Sequence, residues 1–147
     1  VRESKDRVRS ALLNSGFEFP ARRIIINLAP ADLPKEGSRF DLPIAMGILV
    51  ASGQLEAESV TAMEFLGELV ALDGGLRALQ GVLPAVLAAR SEGRTILVPS
   101  ANAEEAGPGQ PGRYLCGGSP ARGLCPPSGA SNTLLRFRRP QLATRMA

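Results

Sequence analysis

Only the first 106 residues of this 147-residue chain have a composition from which a core can be built. Residues 107–147 contain seven Gly, six Pro and six Arg, with no Lys and no acidic residue. No apolar period is sustained there, and such a composition buries too little apolar surface to offset its ordering entropy. The sequence therefore predicts a folded domain over 1–106 and a disordered Gly/Pro/Arg-rich tail over 107–147. The tail reads as out-of-frame translation of a GC-rich gene, with a genuine flexible linker as the alternative. Charge divides at the same point: 11 Lys+Arg against 14 Asp+Glu before it, a net −3, and six Arg after it, a net +6. The overall +3 thus belongs to the tail, and a nucleic-acid-binding module acting through tail–phosphate contacts is one functional reading.

Within 1–106 the periodicities alternate. Val8, Ala11, Leu12 and Ser15 fall at i, i+3, i+4, i+7, which predicts a helix over 2–15 with Gly16 as its stop and Glu3 paired to Arg7. That pattern is already established at Val1, which predicts an N-terminally truncated domain. Arg22–Ala29, with Ile24, Ile25 and Ile26 in succession, predicts a strand. A loop braced by Pro30, Pro34 and Gly37 then carries Asp32, Lys35, Glu36 and Arg39. Asp41 is placed to cap a helix with Pro43 in its first turn, running to about Ser52 and apolar almost all round, as a helix between layers is. Glu64–Ala71 alternates as a strand on which Glu64 and Glu68 share a face. Asp73-Gly74-Gly75 returns it through Leu76–Leu79. Gly81 opens a helix over Val82–Arg90, Arg94–Pro99 is a strand, and Ser100 caps a helix with Glu104 and Glu105 near its start. This order predicts a mixed α/β (α+β) fold, a two-layer mixed sheet with helices.

Missing residue types narrow the chemistry. The chain has no His, which removes imidazole catalysis and His-ligated metal sites. Cys116 and Cys125 are too few for a zinc cage and match no redox spacing. No apolar run is long enough to span a membrane, and the first residues lack the apolar core of a secretory signal. The expectation is a cytoplasmic protein with no membrane partner and no resident metal.

Several stretches resemble a known family. Glu3–Phe17 (ESKDRVRSALLNSGF), Asn27–Gly37 (NLAPADLPKEG), Phe40–Ala45 (FDLPIA), Phe65–Leu69 (FLGEL) and Gly81–Pro84 (GVLP) are similar to the N-terminal domain of magnesium-chelatase-like AAA+ ATPases of the ComM type. The resemblance covers about residues 1–106. It implies a ribosomal protein S5 domain 2-like fold, related to the proteolytic domain of Lon proteases. It also implies a parent protein that assembles as a ring, hydrolyses ATP with Mg and is linked to DNA processing in transformation. No G-x-x-x-x-G-K-[ST] pattern occurs in the chain, so ATP and Mg are expected in an absent motor domain and no cofactor in this one.

The Lon relationship raises a Ser-Lys peptidase as a rival reading. That chemistry needs a serine and a lysine of lowered pKa within hydrogen-bond reach. By the resemblance, Asp41 falls at the nucleophile position and Leu83 at the lysine position, so both groups are replaced. An offset alignment brings in Ser38, with only Lys35 and Lys5 available as bases. The expected role is a non-catalytic accessory domain that contacts its own AAA+ motor and neighbouring subunits, with DNA reached through the assembly. Asp32, Lys35, Glu36 and Arg39 are its interaction candidates, against surface salt pairing without consequence. Arg22 and Arg23 are weaker candidates for phosphate contacts.

Overall fold

Thr95–Pro99 (β4) is the strand that the rest of the chain packs around. In the computed structural model, which describes residues 2–30, 32, 37–70, 72, 75–106 and 114–117, Ile96, Leu97 and Val98 are all buried. Three successive buried apolar residues on a strand require cover on both faces. Leu97 joins a cluster with the helices Arg2–Asn14 (α1) and Asp41–Ala51 (α2), while Ile96 and Val98 join a second with Val82–Ser91 (α3). The fold is α/β as expected, with mixed parallel and antiparallel pairing and helices packed on both sides of β4.

Met63–Phe65 (β1) pairs parallel to β4, with Met63 opposite Thr95 and Phe65 opposite Leu97. Tyr114–Gly117 (β5) pairs parallel along its other edge, from Ile96 opposite Tyr114 to Pro99 opposite Gly117, giving the order β1-β4-β5. These four residues lie in the segment predicted to have no regular structure. Backbone pairing to an already buried strand supplies what their composition does not. The remaining residues of 107–147 lie outside the described set, and Cys125 and the tail's arginines are among them.

The crossover from β1 to β4 holds the antiparallel pair Glu68–Leu69 (β2) and Leu76–Arg77 (β3), followed by α3. One strand over Glu64–Ala71 was expected, and two short ones in different sheets are observed. The chain breaks at Leu66-Gly67, where backbone bonds go elsewhere: Leu66 N donates to Leu97 O at 3.0 Å, and Gly67 N donates to Arg39 O at 3.0 Å. Gly67 is also closely approached, since a Cβ there would lie 2.7 Å from a Leu76 methyl carbon.

Both N-terminal helices follow their apolar patterns. Val8, Ala11, Leu12 and Ser15 are all buried, and Gly16 takes the left-handed φ of 78° that ends α1. In α2, Leu42, Ile44, Ala45, Met46, Ile48 and Leu49 are buried against α1, β1 and β2. Two expectations fail for the same reason, which is that long-range partners decide them. Arg22–Ala29 is extended but is not a strand: among the described residues no ladder forms on it, and Ile25 is 79% exposed. Ser100 starts only a short 3₁₀ turn, Ser100–Asn102, with no side-chain cap, and Glu105, one of the two acids expected near that helix start, caps α3 instead.

Glu105 Oε1 accepts from Val82 N at 2.8 Å and from Leu83 N at 3.3 Å, capping a helix whose own preceding residue, Gly81, has no side chain to offer. The Leu83 amide, opposed by partial desolvation and helped by Asn102 and the Val82 amide, holds this carboxyl below the ordinary glutamate range.

Leu97→Ala, at the one β4 position that enters the α1/α2 cluster, is expected to destabilise the chain by about 3 kcal/mol. Leu87→Ala, on the exposed side of α3, is expected to stay within about 0.5 kcal/mol. Denaturant unfolding of the two variants checks both. Because Glu105's pKa is lowered on folding, its contribution is present above the unfolded value and is lost as pH falls through the folded one. Amide shifts of Val82 and Leu83, followed by NMR on acidification, should titrate below the range of an unperturbed glutamate, and Glu105→Gln should remove the transition.

Candidate functional site

The sequence-derived site centres on the first turn of α2, and Asp41 there does something other than cap. Its side chain has no exposed surface. The Arg7 Nε of α1 donates to Asp41 Oδ2 at 2.8 Å, and Arg7 Nη2 donates to Oδ1 at 3.3 Å, a two-pronged guanidinium–carboxylate pair. Leu69 N of β2 also donates to Asp41 Oδ2, at 3.3 Å. No side chain caps α2. The free N–H groups there are met by backbone: Asp41 N donates to Ser38 O and Leu42 N to Gly67 O, each at 3.0 Å. With its helix end already satisfied, the carboxylate turns to the cation and ties α1, α2 and β2 together. The hydrogen bond to Asp41 is the largest influence raising the Arg7 pKa, with Glu68 and Glu3 adding attraction against partial burial. Glu3 itself is 3.9 Å from Arg7, as the helical spacing predicts.

Around this pair stand the other polar groups of the first turn. Ser38 Oγ donates to Glu68 Oε2, and Glu68 also pairs with Arg77 at 3.6 Å. A serine used as a nucleophile needs a base that takes its proton. Glu68 is held by a cation, which disfavours that role, and Lys5 is exposed on α1. Arg39 is half-buried, and its Nη2 donates to Gln80 O at 3.2 Å. Leu83, at the position where a peptidase lysine would stand, is 40% exposed in the first turn of α3. The Arg39–Gln80 bond brings the segment before α2 against the turn leading into α3. Asp41, locked to Arg7, and Leu83, the two residues expected from the Lon resemblance at dyad positions, thus belong to adjoining segments.

Of the four interaction candidates, Asp32 is exposed in a turn and Arg39 is engaged as above; Lys35 and Glu36 lie outside the described residues. Glu64 and Glu68 do not act as a pair. Glu64 is bonded by Arg94, which also donates to Thr61 O at 3.0 Å and Met63 O at 3.2 Å, while Glu68 belongs to the Ser38 and Arg77 group. Arg22 and Arg23 line an open groove of about 1190 Å³ with Ile24, Ile25, Ile44 and Ile48, an apolar setting for two arginines. Among the described residues no group of three or more His, Cys, Asp or Glu is placed to hold a metal ion, and no helix is long and apolar enough to cross a membrane.

The sequence did carry a signal for Arg7. It stands four residues before Ala11 on the buried side of α1, and a cation on a buried stripe calls for a buried acid. Asp41, the lone charge in an otherwise apolar helix, was its only candidate of that kind. Arg7→Ala leaves that acid buried without its cation and is expected to destabilise the chain by about 3 kcal/mol. Replacing both partners, Arg7→Met with Asp41→Leu, should cost less than Arg7→Ala alone, as read from chemical denaturation midpoints.

The family described as subunit ChlI of Mg-chelatase matches residues 1–102. The competence protein ComM of Haemophilus influenzae is 58% identical over 106 residues, covering 72% of this chain and 21% of that protein. An uncharacterized protein YifB of Salmonella typhimurium is 56% identical over 107 residues, 73% of this chain and 21% of its own length. An uncharacterized protein of Mycobacterium tuberculosis is 44% identical over 107 residues, 72% and 21% of the two chains. The chain thus spans about a fifth of the length of these relatives. It belongs to the family of subunit ChlI of Mg-chelatase, as the N-terminal domain of its ComM/YifB members.

Proposed function

We propose that residues 1–106 act as a non-catalytic accessory domain of a ComM-type AAA+ ATPase, making contacts within its assembly and doing no chemistry of their own. The observation that carries this reading is the state of Asp41. At the place where a Lon-like peptidase would present its nucleophile, this chain has a fully buried carboxylate held by Arg7 and by the Leu69 amide. Leu83, at the lysine position, has no proton to move. Asp41 instead contributes to holding α1, α2 and β2 together.

ATP and Mg belong in this reading to another part of the longer protein, because no phosphate-cradling Gly-rich pattern with its lysine occurs among the 147 residues. A link to competence is supported by the name of the Haemophilus relative, a competence protein, and in this reading DNA is reached through the assembly. The domain works with that assembly in the cytoplasm. Its contact surface is the segment that runs from Asp32 to Arg39, of which Asp32 is exposed and Arg39 stands before α2, bonded to Gln80 O ahead of α3.

Two separable outcomes are expected. A fluorophosphonate probe should label no serine of the chain, and neither casein nor ATP should be hydrolysed by it; labelling at Ser38 would revive the peptidase. Mixed with a ComM-type relative from which the matching region has been removed, the chain should bind. Asp32→Ala with Arg39→Ala should weaken that binding about tenfold, by the size expected of a rim charge pair. Binding that survives those changes but is lost on deleting residues 118–147, which spares β5 and removes five arginines, would assign the contact to the basic tail.

A further inference from the structure

The turn leading into α3 is gripped from two directions by segments that are far apart in sequence. From one side, Arg39 donates to Gln80 O. From the other, Asn102 pairs with Leu79 as a strand neighbour would: Leu79 N donates to Asn102 Oδ1 at 2.9 Å, and Asn102 Nδ2 donates to Leu79 O at 2.7 Å. Asn102 Nδ2 lies 3.1 Å from Glu105 Oε2, and Glu105 Oε1 caps Val82 and Leu83. Asn102 is 5% exposed, so its two backbone bonds are made out of water and are costly to lose. The turn between the grips contains Gly81 at a φ of 70°, a conformation that leaves the first N–H groups of α3 without a local side-chain acceptor. Beneath it, Val82 shares a core cluster with Ala106, the last described residue before the chain leaves toward β5.

We propose that residues 79–83 form a coupling element between the Ser38–Phe40 segment and the Asn102–Ala106 turn that follows β4. Displacing Arg39 frees Gln80 O and loosens the turn. The turn is the same backbone that Asn102 and Glu105 hold, so their grip on the first N–H groups of α3 changes with it. Coupling runs equally in reverse: a shift of the Asn102–Ala106 turn is felt at Arg39. A partner docked near Arg39 would therefore alter how tightly the Asn102–Ala106 turn holds the start of α3. This coupling goes beyond the accessory role, and its test requires no partner, so its failure leaves that role standing.

The test is NMR-resolved hydrogen exchange of the full chain, wild type against Arg39→Ala, Glu105→Gln and the double variant, reading the Val82 and Leu83 amides with Leu12 in α1 as reference. Each single change should speed exchange at Val82 and Leu83 by about threefold or more while Leu12 is unchanged, and the double variant should depart from the product of the singles by a similar factor. Multiplicative rates, or an Arg39→Ala variant that leaves Val82 and Leu83 at wild-type rates, overturn the coupling. Should Arg39→Ala accelerate Leu12 as well, Arg39→Gln is read in its place on the same criteria.

Discussion

A carboxylate with no exposed surface has to be matched where it stands, and the Arg7–Asp41 pair is the match on which the arrangement of this domain depends. Arg7 comes from α1, Asp41 from the start of α2, and the Leu69 amide from β2, so one ion pair with one added hydrogen bond fixes three elements against each other. Burial of such a pair is not in itself a source of stability, because desolvation offsets most of the attraction. Its effect is on uniqueness of arrangement. The same apolar faces could slide or rotate past one another, but only one placement brings the guanidinium fork onto the carboxylate.

The second constraint is the crossing at Gly67. Its N–H donates to Arg39 O and its C=O accepts from Leu42 N, so the chain between β1 and β2 closes the end of α2 with backbone alone. That closure is what releases Asp41 from capping. The two features form one solution: backbone satisfies the helix end, and the freed acid serves the core. The first turn of α2 thus has its geometry fixed and its one carboxylate engaged in structure, which is consistent with the proposed role of a domain that is held and contacted.

Much of this was readable from local pattern. The α1 stripe of Val8, Ala11, Leu12 and Ser15, the stop at Gly16, the apolar α2 and the buried β4 follow from periodicity, because each depends on neighbours within a few residues. What local pattern missed depends on distant ones. Ile24–Ile26 has the chemistry of a strand, yet a strand exists only with a partner, and none pairs with it among the described residues. Glu105 was assigned to the helix start next to it but caps α3, some twenty residues back in sequence. Asp41 carries a capping residue's identity, and only the position of Arg7 on the buried side of α1 distinguishes a cap from an ion pair. Tyr114–Gly117 lies in a Gly/Pro-rich stretch and is ordered by the free edge of β4. Of the charged loop, the sequence supplied the candidates, and the structure describes Asp32 and Arg39 at its two ends.

The most direct measurement is the unfolding free energy of Asp41→Ser, the substitution that puts a Lon-like nucleophile back at its position, taken together with reaction of that variant with a fluorophosphonate. If Asp41 is a structural lock, the variant loses about 2 kcal/mol or more, because Arg7 and the Leu69 amide are stranded. The introduced hydroxyl then stays unlabelled, because Leu83 stands at the position where the resemblance expects the activating lysine. A variant as stable as the parent and labelled at the substituted position would show that the position was held open for chemistry and would contradict the account.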